Sequence, residues 1–118
     1  MRSKGEIKMK LAVIGYRSII DIELEKYVPT DVDSIVSGGA RGADSLAAEY
    51  AKKHGIPLTV IPPDYERYGR AAPIVRNKQI VDTADGVLAF WNGSSRGTRS
   101  VINYAKRRGK PISIIICD

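Results

Sequence analysis

The sequence predicts an α/β fold: a three-layer, Rossmann-like domain of about five parallel strands with helices on both faces. Three observations carry this. From Lys10 onward, short β-branched runs alternate with amphipathic stretches in the order βαβαβαβαβ, and parallel neighbours need crossover connections, which are right-handed. Most of the runs are apolar without clean alternation, as strands covered on both faces are. The 118 residues suffice for one core and are too few for two.

The strands are read at "KLAVIG" (10–15), "DSIVS" (33–37), "LTVI" (58–61), "GVLAFW" (86–91) and "ISIIIC" (112–117). A short helix is expected over 22–28, before Pro29. A longer one over 44–54 places Leu46, Ala47, Tyr50 and Ala51 on one face and stops at Gly55, with Pro57 beyond. Pro73 suits a first helical turn, after which Ile74, Asn77, Val81 and Ala84 share a face. Residues 98–108 repeat the scheme with Val101, Ile102 and Ala105, ending at Gly109 and Pro111. The segment "PPDYERYGRA" (62–71) reads as irregular. A basic extension over 1–9, whose order the sequence leaves open, precedes a single domain over 10–118.

Composition narrows the function classes. The longest apolar run is strand-sized, so no membrane span is expected, and "MRSKGEIKMK" lacks the apolar region and cleavage site of a signal peptide. Cytoplasmic residence is the default expectation. Cys117 is the only cysteine, which excludes an intramolecular disulfide and a thiol pair for zinc, and no metal cluster is read. The formal charge of +6 favours anionic partners, but Arg2, Lys4, Lys8, Lys10 and the "KRRGK" run are also what a solvated tail and a helix end look like.

Three segments follow strands at the carboxyl edge of the sheet and pair glycine with arginine: "GYRS" (15–18), "SGGARGAD" (37–44) and "NGSSRGTRS" (92–100). Glycine lets the backbone approach a ligand with its N–H groups turned inward, and the next helix adds its positive end. One such loop is as readily a simple turn; three on one edge favour a phosphate seat, with Gly15 and Arg17 in the first loop and Arg96 in the third. None matches the lysine-bearing P-loop or the spaced dinucleotide fingerprint. Asn77 is a polar residue on an otherwise apolar face and needs a partner. Asp44 falls in a first helical turn, where capping is its first reading and a catalytic role only a weak one. Trp91 ends a strand at the mouth and can stack on a base or simply close the core. His54 falls ~15 Å from the glycine loop at the far end of its helix. No histidine, cysteine or carboxylate pair at the mouth forms a convincing acid–base set, so turnover stays open, and the sequence names no cofactor.

"SGGARGADSLAAEYA" followed by "GRAAPIVRNKQIVDTADGVLAFWNGSSRGT" resembles the SLOG superfamily, named for the DNA-processing protein DprA/Smf and the Lonely Guy cytokinin-activating enzymes, and above all its small YspA-like, YpsA-related branch. The resemblance runs from about Lys10 to the end. It implies a Rossmann-like domain whose glycine loops hold a nucleotide or nucleotide-derived ligand, as a sensor or processing module. It maps Gly38, Gly39, Arg41, Gly42, Arg76, Asn77, Gly97 and Thr98 to the pocket. Lonely Guy enzymes carry a catalytic glutamate three positions after the loop threonine; here that place holds Val101, which argues against their phosphoribohydrolase activity.

The expected function is therefore binding of a nucleotide-type ligand. The alternatives are an enzyme cleaving an N-glycosidic or phosphate bond and single-stranded DNA binding of the DprA kind. A homo-oligomer is expected from an apolar helix face on so small a domain.

Overall fold

The computed structural model describes residues 9–15, 22–38 and 42–117. Five strands form one sheet: β1 (Met9–Gly15), β2 (Val32–Ser37), β3 (Leu58–Val60), β4 (Gly86–Trp91) and β5 (Ile112–Ile116). Their order is β3-β2-β1-β4-β5, and every neighbouring pair is parallel. The chain winds outward through β1, β2 and β3, then crosses to β4 on the other side of β1 and continues to β5. That reversal makes the carboxyl ends of β1 and β4 the walls of a crevice.

Successive side chains of β1 point to opposite faces, and the core splits accordingly. Leu11 and Val13 join Ile35, Leu88 and Phe90 beneath α1 (Ala43–His54), whose contribution is small: Ala43, Ala47 and Ala51. Ala12 and Ile14 join Val36, Val87 and Ala89 on the other face. There they meet Ile80 and Val81 of α3 (Ala72–Thr83) and Val101, Ile102 and Ala105 of α4 (Arg96–Arg107). The alanines let α1 lie close to the sheet, and Gly15 has the same effect: a Cβ there would fall 2.8 Å from the Cβ of Ala43.

Local signals set the helix ends. Gly55 closes α1 in the left-handed conformation, with φ of 65° and its N–H directed to the carbonyls of Ala51 and Lys52. Pro73 falls in the first turn of α3, where its missing N–H costs no helical bond. Gly109, with φ of 70°, follows α4.

The structure corrects several expectations. Only Leu24–Lys26 is helical in the 22–28 stretch, and as a 3-10 turn, anchored by the burial of Leu24 and Val28. The 62–71 segment is not irregular: Asp64 caps a short helix, α2 (Tyr65–Tyr68), by accepting the Arg67 N–H at 3.1 Å, and a 3-10 turn (Gly69–Ala71) leads into α3. Helix α4 starts at Arg96, so Arg96 and Gly97 belong to its first turn. Ile74 is 54% exposed although it shares a helix face with the buried Val81, because at its turn α3 borders an open groove rather than the sheet. The outer strands are incompletely covered, with Val60 of β3 and Ile116 of β5 exposed.

Candidate functional site

The carboxyl edge of the sheet gathers the site. Arg17, Gly39 and Arg41, together with Tyr16, lie outside the described residues. The remaining expected residues form two groups, one around Gly38 and one around Trp91.

Gly38 leaves β2 with both its peptide groups held. Its N–H donates to Asp44 Oδ1 at 3.3 Å, and its carbonyl accepts from Arg76 Nη1 at 3.0 Å. Arg76 reaches this position from the first half of α3, and its Nε donates to Asn77 Oδ1 at 2.8 Å, which supplies a partner for the polar residue on that helix. The guanidinium lies so close to the strand end that a Cβ on Gly38 would fall 2.5 Å from Nη1 and 2.9 Å from Cζ. Glycine at 38 is thus a packing requirement of Arg76, in a backbone conformation open to any residue. Two of the five N–H groups of Arg76 are used by these bonds, and the other three have no partner among the described residues.

Asp44 joins the loop to α1. Placed in the first helical turn, its carboxylate is favoured by the helix dipole and at the same time holds the Gly38 N–H, closing the loop across six residues. Gly42 occupies the N-cap position with φ of 75°, a left-handed value suited to glycine, and has no side chain to cap the helix.

The second group is already closed on itself. Ser95 caps α4, its Oγ accepting the Thr98 N–H at 3.4 Å and donating to Thr98 Oγ1 at 3.2 Å; Thr98 is buried. Asn92 Oδ1 accepts from the N–H groups of Ser94 and Ser95 at 2.9 and 2.8 Å, bracing the turn in which Gly93 takes φ of 85°. Trp91 donates through Nε1 to the Ser95 carbonyl at 3.0 Å, and the Arg99 guanidinium stands 5.6 Å from its ring centroid. Trp91 thus has a structural use, fixing the 92–95 turn, and Arg99 competes for a face on which a base would stack. Arg96 is exposed, and a Cβ on Gly97 would meet open space. Gly97 and Asn77 share a shallow groove between α3 and α4, lined also by Ile74, Lys78 and Tyr104.

Sequence reasoning overlooked Ser37. It ends β2 at 1% exposure, and its Oγ has no hydrogen-bond partner among the described residues. Strand alternation turns it toward the α1 face, since Val36 before it and Gly38 after it face α3. A serine directly after the apolar pair Ile35 and Val36, at the end of the strand, was the available signal. Val101, at the position of the Lonely Guy glutamate, is buried in the core and offers no acid. His54 ends α1, where it bonds Glu25 at 3.1 Å and stacks against Tyr50. Among the described residues no group of three or more His, Cys, Asp or Glu side chains is arranged for a metal, and no helix is long and apolar enough to cross a membrane.

A family model described as the YspA, cpYpsA-related SLOG family matches residues 10–68. The chain belongs to that family. The matched span of this SLOG protein contains the 15–18 and 37–44 loops with Asp44, while Arg76 and the 92–100 segment lie beyond it. The Gene 61 protein of Mycobacterium phage D29 is 38% identical over 84 residues, covering 66% of this chain and 67% of that protein. No solved structure matches the chain.

Proposed function

We propose that this SLOG protein binds a nucleotide or nucleotide-derived ligand by its phosphate, at the carboxyl ends of β1 and β2 where α1 begins. The observation that carries the reading is the fixing of Gly38 between Asp44 and Arg76. Fixing both peptide groups of one residue orders the entrance of the loop before any ligand arrives, which reduces the ordering cost of binding. The same arrangement brings a permanent positive charge, three of whose N–H groups have no partner among the described residues, to the start of α1, where the N-cap position is a glycine. Family membership is compatible with a nucleotide-related ligand.

In this reading Gly38, Gly39, Arg41 and Gly42 line the phosphate seat with Gly15 and Arg17, and Arg76 and Asn77 close its α3 side. Asp44 positions the loop. Gly97 and Thr98 contribute less, because the start of α4 is already capped by Ser95.

The test is thermal stabilisation by a panel of nucleoside mono-, di- and triphosphates, ADP-ribose and NAD, on the wild type and on Arg76→Ala. A ligand at one hundred times its dissociation constant should add about 2.7 kcal/mol of stability. The shift should vanish in Arg76→Ala while the circular dichroism spectrum is retained. A full shift in that variant, or no shift with any compound, refutes the reading.

A further inference from the structure

The charge of this protein is segregated. Between Gly86 and Cys117 there is no Asp or Glu, and the six cations Arg96, Arg99, Lys106, Arg107, Arg108 and Lys110 equal the whole formal charge of +6; the rest of the chain balances, 13 basic against 13 acidic residues. All six belong to α4 and the turn after it. At about 100° per residue, Arg96, Arg99, Lys106 and Arg107 fall within roughly a third of the circumference of α4, together with Ser100 and Asn103. Every one of these six is exposed, and the opposite arc buries Thr98, Val101, Ile102 and Ala105 against the sheet.

Cations in the last turn complement the helix dipole, which accounts for Lys106 and Arg107. Arg96 and Arg99 stand at the positive end, where there is no acidic residue in the first turn and the same dipole disfavours them. Acidic neighbours do not compensate the stripe. Asp82 pairs with Arg108 at 3.2 Å and accepts the Tyr104 hydroxyl, but Arg96, Arg99, Lys106 and Arg107 have no ion pair among the described residues. Aromatic rings hold three cations of this face in place instead: Arg99 over Trp91 at 5.6 Å, Arg107 over Tyr104 at 5.8 Å, and Lys78 of α3 over Tyr104 at 5.6 Å. Cations parked on ring faces keep their charge and lose part of their rotamer freedom in advance.

We infer that the outer face of α4, extended by Lys78, binds the phosphodiester backbone of a nucleic acid, at a surface separate from the Gly38 seat. Helix α4 is about 18 Å long, and its four stripe cations with Lys78 of α3 offer four or five contacts to phosphates. The aromatic faces are occupied by cations, so contact is to the backbone and independent of sequence. A lipid surface fits poorly, because the exposed arc of α4 carries no apolar side chain to insert.

Fluorescence anisotropy with labelled 20-nucleotide single-stranded and 20-base-pair DNA, from 50 to 300 mM KCl, tests this. The expected slope of log K against log salt is about −3 to −4 for four or five contacts, and the preferred probe identifies the form bound. The triple variant Arg99→Gln, Lys106→Gln, Arg107→Gln should lose about two units of slope and more than tenfold in affinity at 50 mM KCl. Arg76→Ala should bind DNA as the wild type does, which separates this inference from the phosphate seat. Any of three results overturns it: unchanged DNA affinity in the triple variant, a salt-insensitive interaction, or competition by poly-glutamate as effective as unlabelled DNA, which would mark the face as an acidic-protein surface.

Discussion

Gly38→Ala tests the central geometry, because its effect should reverse sign with the residue at position 76. The new Cβ would meet Arg76 at 2.5 Å (Nη1), 2.9 Å (Cζ) and 3.2 Å (Nε), and these are its three nearest atoms. All belong to one flexible side chain, so the guanidinium swings away and the backbone stays. The loss is the part-buried bond from Nη1 to the Gly38 carbonyl. A hydrogen bond to a charged group in a part-buried setting contributes about 1.5–2 kcal/mol net, the lower end of the range for such bonds. Against this, Gly to Ala in an ordinary backbone conformation stabilises by about 0.4–1 kcal/mol, through reduced freedom of the unfolded chain. In the wild-type background Gly38→Ala should therefore destabilise by about 1 kcal/mol, or about 4 °C for a chain of this size. In the Arg76→Ala background both the clash and the bond are already gone, and the same substitution should be neutral or stabilising. Urea denaturation of the four proteins at constant m gives the coupling, expected at about 1–2 kcal/mol. An equal cost in both backgrounds would show that the new methyl strains the backbone, and the packing account of Gly38 would fail.

Ser37→Ala removes a buried hydroxyl that has no partner among the described residues and should raise stability by about 1 kcal/mol, read as a higher urea midpoint; a lower midpoint would mean that the hydroxyl is satisfied. Gly15→Ala and Gly97→Ala should act in opposite directions. The first forces a methyl to 2.8 Å from Ala43 and 3.2 Å from the Phe90 carbonyl and should cost about 1–3 kcal/mol, whereas the second adds a methyl in open space on a helix and should gain about 0.5–1 kcal/mol. Equal melting temperatures for the two variants would contradict the geometry. The carboxyl of Glu25 is held below its usual value of 4.5, chiefly by a backbone hydrogen bond and then by His54 and Lys53. A depressed folded-state value means a contribution present above pH ~4.5 and lost as the pH falls further through the folded value. Melting temperatures of wild type and Glu25→Gln should accordingly differ near neutrality and converge on acidification below pH 4.5; a constant difference would remove Glu25 from that limb.

The alternation of strands and helices was legible in the sequence because its signals are local. A glycine able to take a left-handed conformation followed two residues later by proline marks an end at Gly55 and again at Gly109, and strand-sized β-branched runs leave few other readings. Local rules also carried the boundary of β1 to within one residue and the placing of His54 at the far end of its helix. They failed where neighbours decide. Ile74 follows the apolar periodicity of α3 yet is exposed, since at its turn the helix borders the open groove beside α4 and nothing packs over the side chain. The 65–71 segment becomes helical because Asp64 caps it and α3 continues it, which composition rich in Pro, Gly and Tyr concealed.

For the candidate site, the sequence alone determined that glycine-rich loops end strands on one edge, and that arginines accompany them. Only the tertiary structure decided which of these residues meet. Arg76 reaches Gly38 across 38 positions because α3 lies over the sheet beside the end of β2, a distance at which no periodicity carries information. The same holds for Trp91, which the sequence offered to a ligand base and the structure engages with Ser95 and Arg99. Secondary structure follows from interactions within a few residues along the chain. A site at the edge of a parallel sheet is assembled from segments that crossover connections keep far apart in sequence, so the sequence supplies its parts, and the strand order β3-β2-β1-β4-β5 decides their arrangement.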